Sequence, residues 1–152
     1  MGKRLRDESY YQRKAKVDEM MALDAIDNKF NWFLGRAKSV LDLCASTGGW
    51  IQLAIGRRIE PVGLAIGVDL HPDPIRPIIG AVSIQGDITT LECKKKIRKL
   101  MGESGVTGFD IVMRSGLSSD PNATLWDQAS LITESIKLST EFLAPDGTFV
   151  TK

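Results

Sequence analysis

From Val17 to Leu34 apolar residues stand at 17, 20, 21, 23, 26, 30, 33 and 34, spacings of three and four that predict an amphipathic helix lying on a core. The period then changes. Ser39 to Cys44 (SVLDLC) is a short apolar run that ends in a glycine-bearing turn, and Trp50 to Arg57 returns to helical spacing. Leu64 to Leu70 (LAIGVDL) predicts a second strand, closing on an aspartate before the proline-rich turn HPDPIRP. Ala81 to Gln85, Phe109 to Met113 and Gly147 to Lys152 predict three more strands. Thr89 or Thr90 suits the cap of a helix running to about Met101, and Leu125 to Leu143 has helical spacing again. Strands alternating with helices specify a parallel sheet covered on both faces, because parallel neighbours need a crossover and the crossover is right-handed. The predicted class is α/β, a doubly wound and mainly parallel sheet. Phe149 and Val150 are expected on an uncovered sheet edge, as if the final strands of the domain were missing.

Composition narrows this little. A chain of 152 residues, 43% of them hydrophobic, builds one core. No apolar run approaches the roughly 20 residues that cross a bilayer, so no membrane partner and an intracellular location are expected. Cys44, Cys93 and His71 are too few for a zinc site or a disulfide framework, and no metal is expected. His71 reads as a bystander in its turn. The net charge is only +1, yet residues 1–16 carry Lys3, Arg4, Arg6, Arg13, Lys14 and Lys16 against Asp7 and Glu8, with Tyr10 and Tyr11 between them. Basic groups displace phosphate counterions and tyrosines stack on bases, so residues 1–16 are read as an arm for RNA and 17–152 as the folded domain. A solvated, partly disordered tail is the plainer alternative.

In open parallel sheets ligands bind beyond the carboxyl ends of the strands, near the point where strand order reverses. Those ends carry Asp42 with the turn CASTGGW, then Asp69, Asp87, Ser115 and Lys152. Gly48 and Gly49 let a ligand approach the backbone and the amides that open a helix. Asp69 stands where a nucleotide fold presents a carboxylate to ribose hydroxyls, and Asp87 suits an adenine amino group. Taken singly, each is as readily a tight turn or a helix cap; their order along the chain is the informative feature. The glycine spacing that pyrophosphate needs is absent, which argues against a dinucleotide dehydrogenase and suits an adenosyl cofactor without phosphate.

The stretches YYQRKAK, VLDLCASTGGW, AIGVDLHPDPIRPI, GDITTLECKKKIRKLM, FDIV and FLAPDGTFVTK together resemble the N-terminal methyltransferase domain of the eukaryotic nucleolar branch of the FtsJ family. That resemblance implies a Rossmann-like fold, S-adenosylmethionine as cofactor, and methylation of ribose 2′-hydroxyls in precursor ribosomal RNA. It also implies a nuclear, nucleolar location, with pre-ribosomal proteins as further partners. By the same resemblance Gly48, Trp50, Asp69 and Asp87 contact the cofactor, and Lys152 is the catalytic lysine. From the residues alone, a tryptophan opening a helix against a sheet, as Trp50 does, is more often packing.

The chain departs from the family where the chemistry is concentrated. The family's catalytic group is Lys-Asp-Lys-Glu. Its first lysine falls on Ala22 and its aspartate on Ser115, although Asp120 lies five residues further on. Lys152 matches the third member, and the glutamate would fall beyond residue 152. An arginine-rich loop is deleted between Lys16 and Met20, and the family's Ala-Pro in the cofactor turn becomes Ser46-Thr47. Losing a general base or an electrostatic partner costs on the order of 10²-fold or more in rate, so little or no methyl transfer is expected. The losses read either as a truncated or mis-spliced gene model or a relic copy under weak constraint, or as an RNA- or S-adenosylmethionine-binding pseudoenzyme. Lys94 to Lys99 reads as a solvated helix face, and Trp32 and Phe33 as core.

Overall fold

A computed structural model of the chain describes residues 2–45, 48–57, 63–70, 78–115, 122 and 124–152, with the side chains of residues 2–9 and 12 left aside. The first helix, α1, spans Gly2–Lys29 and passes residues 16 and 17 without a break. It begins well before the predicted Val17, because periodicity registers only the buried stripe and the polar residues before it contain no breaker. It also stops short of the predicted Leu34, since Asn31 and Trp32 both adopt positive φ, at 63° and 57°. That reversal leads into a 3-10 turn, Phe33–Arg36. Phe33 is buried as expected, but Trp32 is 58% exposed, and the Arg57 guanidinium lies over its ring at 5.5 Å.

The strands are β1 (Val40–Leu43), β2 (Ala65–Asp69), β3 (Val82–Gln85), β4 (Phe109–Arg114) and β5 (Leu143–Thr151). They form one parallel sheet of order β3-β2-β1-β4-β5. β5 starts earlier than Gly147 because its pairing with β4 shifts register through Pro145 to Gly147; regular pairing holds for Thr148 to Thr151. The helices between the strands are α2 (Gly49–Arg57), α3 (Leu91–Ser104) and α4 (Leu125–Phe142).

Alternation along the strands divides the core in two. Leu41, Leu43, Ile66, Val68 and Val112 face α3 and α4, meeting Ile97, Met101, Leu138 and Phe142. Val40, Ala65, Ile111, Met113 and Val150 face α1 and α2, meeting Leu23, Trp50, Ile51 and Ala54. Both faces of β5 are therefore occupied, with Val150 on one side and a half-buried Phe149 on the other. The α3 face from Lys94 to Lys99 is largely paired, Lys94 and Arg98 with Glu141, Lys96 with Glu92 and Lys99 with Glu103. No helix among the described residues is long and apolar enough to cross a membrane.

Candidate functional site

β1 is flanked by β2 on one side and β4 on the other, so chain direction across the sheet reverses between β1 and β4. In open parallel sheets ligands bind beyond the carboxyl ends of the two strands that flank such a reversal. Here Ser115 donates its hydroxyl to the Cys44 carbonyl at 3.2 Å, tying the end of β4 to the end of β1. The Lys152 amide donates to the Arg114 carbonyl at 3.3 Å, which brings Lys152 beside Ser115. Two candidates that lie far apart in sequence thus become neighbours.

After β1 the chain turns sharply. Cys44 takes φ 66° and Gly48 φ 78°, a conformation that glycine adopts without strain. A β-carbon on Gly48 would also lie 2.5 Å from Ile78 Cδ1, so the turn is closely covered. Gly49 opens α2 beneath α1: a β-carbon there would sit 2.8 Å from the Lys16 carbonyl and 3.2 Å from Glu19 Cβ. Two levels of contact fix the relative direction of α1 and α2. Lys16 and Glu19 lie at the start of α2, while Asp24 and Asp27 both bind Arg57 at its end. The helices therefore run parallel, and the residues before Lys16 extend past the strand ends.

Asp69 is buried at the end of β2. Asp87 follows β3, and its Oδ1 accepts from the Thr89 amide at 2.9 Å and the Thr89 hydroxyl at 2.7 Å, a local turn that orients the carboxylate. Trp50 is 0% exposed, its ring wholly within the core. Ala22 is half-buried on α1, one residue before the core residue Leu23. His71, Ser46, Thr47 and Asp120 lie outside the described residues. No cluster among the described residues has the donors for a metal ion.

Sequence reasoning named Asp42 among the strand-end residues without giving it a role, and did not single out Arg114. Asp42 is 0% exposed and neither carboxylate oxygen has a hydrogen-bond partner. Burial pushes its carboxyl well above the usual range, and repulsion from Glu19 and Asp69 adds to the effect. Arg114 is 1% exposed, with Nε and Nη2 unpartnered. Beside it, burial pushes the Cys44 thiol up to about 11 despite the opposing pull of that guanidinium. The Trp50 indole N–H is also unpartnered. All the buried side-chain polar atoms that lack partners among the described residues belong to these three residues, and all three stand at the carboxyl end of the sheet. The signal in sequence was a charged residue inside an apolar run, Asp42 in VLDLC and Arg114 in FDIVMRS.

Comparison with known proteins matches residues 20–152 to the family described as FtsJ-like methyltransferase. The chain is 38% identical over 159 aligned positions to a pre-rRNA 2′-O-ribose RNA methyltransferase of Gallus gallus, covering 100% of this chain and 18% of that protein. It is 41% identical over 123 positions to an AdoMet-dependent rRNA methyltransferase of Schizosaccharomyces pombe, covering 79% of this chain and 15% of that protein. The chain thus spans less than a fifth of the length of these curated relatives. Among solved structures, a putative ribosomal RNA methyltransferase of Plasmodium falciparum superposes with TM-score 0.65 at 24% identity, over 86% of this chain and 74% of that one. The methyltransferase MycE, in complex with Mg and SAH, superposes with TM-score 0.57 at 19% identity, over 85% of this chain and 31% of that one. These two superpositions establish a shared fold.

Proposed function

Because the chain belongs to the FtsJ-like methyltransferase family, we propose that its strand-end crevice binds S-adenosylmethionine and that the domain is shaped to act on a ribose 2′-hydroxyl of precursor ribosomal RNA. The reading is carried by the clustering of unpartnered buried polar atoms at the carboxyl end of the sheet. Buried donors and acceptors are nearly always satisfied, so such a group marks a place where a polar ligand completes the bonding. The residues fit the cofactor. Gly48 makes the turn at φ 78° with Ile78 packed against it, and the amides of Gly49 and Trp50 open α2, so Trp50 contributes its main chain while its ring anchors the helix. In this reading Asp69, buried at the end of β2, serves the ribose hydroxyls, and Asp87, held by Thr89, the adenine amino group. Bound there, the sulfonium would supply an electrophilic methyl group.

Lys152, beside Ser115 at the crevice rim, is the residue for taking the hydroxyl proton, which requires surroundings that favour the neutral amine. With Ala22 and Ser115 at the places of the family's first lysine and its aspartate, transfer is slow or absent. Basic residues 1–16, carried on α1 past the strand ends, suit RNA phosphates. Nuclear and nucleolar residence with pre-ribosomal proteins follows from the same reading.

Melting the protein with and without cofactor tests the binding. S-Adenosylmethionine at about 100 times its Kd adds about 2.7 kcal/mol, and Asp69→Ala removes the gain. A folded protein whose melting is unmoved at millimolar cofactor would refute the reading. A second reading, an RNA-binding module without catalysis, is favoured by the engagement of the Ser115 hydroxyl with Cys44. Transfer from labelled cofactor to precursor ribosomal RNA decides between them: activity in Ala22→Lys/Ser115→Asp but not in the native chain supports the module, and native activity excludes it.

A further inference from the structure

β3 is an edge strand: β2 pairs with one side of it, and among the described residues no strand pairs with the other. The Gly86 amide donates to the Asp69 carbonyl at 2.9 Å, so the peptide groups of Ile84 and Gly86 face β2. Alternation turns those of Ser83 and Gln85 outward. The Lys96 ammonium group donates to the Gln85 carbonyl at 3.4 Å, as an outward carbonyl allows. Between this edge and α3 lies a groove of about 400 Å³, lined by β3 and by Lys96, Lys99, Leu100 and Glu103. These four recur at i, i+3, i+4 and i+7, one face of the helix. Val82 shares its side of the strand with Ile84, which packs in the core with Ile97 and Met101, yet Val82 itself is 40% exposed. A free edge offers its peptide groups to any extended chain, and sheets commonly blunt it with proline or charge. β3 carries neither. Only Lys96 lies across it, and the Ser83 amide and carbonyl and the Gln85 amide have no partner among the described residues.

We infer that this edge is a docking site for an extended, acidic segment of a partner protein, which adds a strand beside β3 and lays its side chains into the groove against α3. Pairing with the peptide groups of Ser83 and Gln85 supplies binding without regard to sequence, and the groove supplies selection. Every second side chain of the added strand points into the groove, where Val82 and Leu100 take an apolar residue and Lys96 and Lys99 an acidic one. Lys96 and Lys99 stand near Glu92 and Glu103, at 3.7 and 4.0 Å, but exposed pairs of this kind are weak and an incoming carboxylate exchanges with them. An RNA strand fits less well. Its phosphates would use the lysines but neither the outward peptide groups nor the apolar floor, and Glu103 repels them. A second copy of the chain also fits less well, because its own edge strand, VSIQ, brings no acid to the lysines. The inference does not depend on the adenosyl reading of the strand ends.

Heteronuclear NMR of the whole chain, titrated with three hexapeptides, provides the test: one alternating valine and glutamate, one alternating valine and lysine, and the acidic one again with its backbone amides N-methylated. The acidic peptide moves the amide resonances of β3 and α3 and slows hydrogen exchange at Ser83, and the N-methylated peptide does neither. The lysine peptide binds on the order of tenfold more weakly. Lys96→Gln/Lys99→Gln weakens the acidic peptide by roughly 3- to 10-fold while melting stays close to that of the native protein, since both positions are on an exposed helix face. Ser83→Pro removes an amide that faces away from β2, so the sheet is kept and the peptide is lost. Should Ser83→Pro fail to fold, the lysine variant and the N-methylated peptide carry the same comparison. Equal affinity for the acidic and lysine peptides overturns the inference, as do shifts centred away from β3 and α3, or no binding of the acidic peptide at millimolar concentration. A single-stranded RNA oligonucleotide that displaces the peptide, and whose affinity falls in the lysine variant but ignores Ser83→Pro, also overturns it and directs the lysines to phosphate. So does a dimer formed through β3 without peptide, which would make the occupant a second copy of the chain.

Discussion

The two ends of the sheet treat buried charge differently. At the amino-terminal end Asp27 is fully buried and fully used: its Oδ1 accepts from the Leu34 amide at 2.9 Å and its Oδ2 from Arg57 at 2.9 Å. Nearby, the Asp110 carboxylate accepts from the amides of Lys38 and Ser39, and the amides of Asp110 and Ile111 both donate to the Ser39 carbonyl, a bulge whose bonds are closed locally. At the carboxyl end Asp42 and Arg114 are as deeply buried and have unpartnered polar atoms. The same residue types thus serve as struts at one end and stand with unpartnered polar atoms at the other. Burial alone does not separate the two roles; completeness of hydrogen bonding does.

Removing a strut has the larger expected effect. Asp27→Ala leaves the Leu34 amide and the Arg57 guanidinium without their shared acceptor and loosens the reversal at Asn31 and Trp32, costing about 3 kcal/mol. Denaturant unfolding measures it, and the loss is the same with and without cofactor. A loss below about 0.5 kcal/mol, the ordinary range for surface substitutions, would show that the lower end is no better satisfied in energy than the upper.

This difference also explains what the sequence disclosed. Strand and helix order, the α/β class and the adjacency of the strand-end candidates were legible, because period-2 and period-3.6 patterns report directly on which face is buried. Thr90 was legible as a cap, and its hydroxyl does accept from the Cys93 amide. The extent of α1 was not legible, since a helix continuing beyond its packed stripe leaves no apolar period. Trp32 was misread because hydrophobicity suggested a core position, whereas its positive φ turns the ring outward under Arg57. Asp42 and Arg114 could be seen only as intruders in apolar strands. That they lack partners depends on residues from other elements, which no spacing rule encodes.

The next test reverses the sign of the first. Because burial raises the Asp42 carboxyl, its folded-state affinity for a proton exceeds that of the unfolded chain. Its contribution is therefore fully present below the unfolded carboxylate range near pH ~4 and is lost as pH rises through the folded value. Asp42→Asn removes the cost of ionisation and stabilises the unliganded protein by about 1–2 kcal/mol at neutral pH, an advantage that shrinks on acidification. Melting curves at a series of pH values follow it directly. Destabilisation at neutral pH, or a gain that grows as pH falls, would place Asp42 among the struts.

The smallest effect serves as the control for position. α4 also begins at the carboxyl end, yet there Thr124 accepts from the Asp127 amide at 3.2 Å while the Asp127 carboxylate accepts from the Thr124 amide at 2.7 Å. Both orphan donors of that helix start are satisfied reciprocally within four residues. Those bonds hold the Asp127 carboxyl below its usual range, so their contribution is present above pH ~4 and fades as pH falls. Thr124→Ala is expected to cost about 1 kcal/mol, by the same amount with and without cofactor, since nothing in the cap waits for a ligand. A cofactor-dependent cost would mean that α4 closes on the crevice when it is filled, and would extend ligand-dependent contacts from the strand ends to this helix.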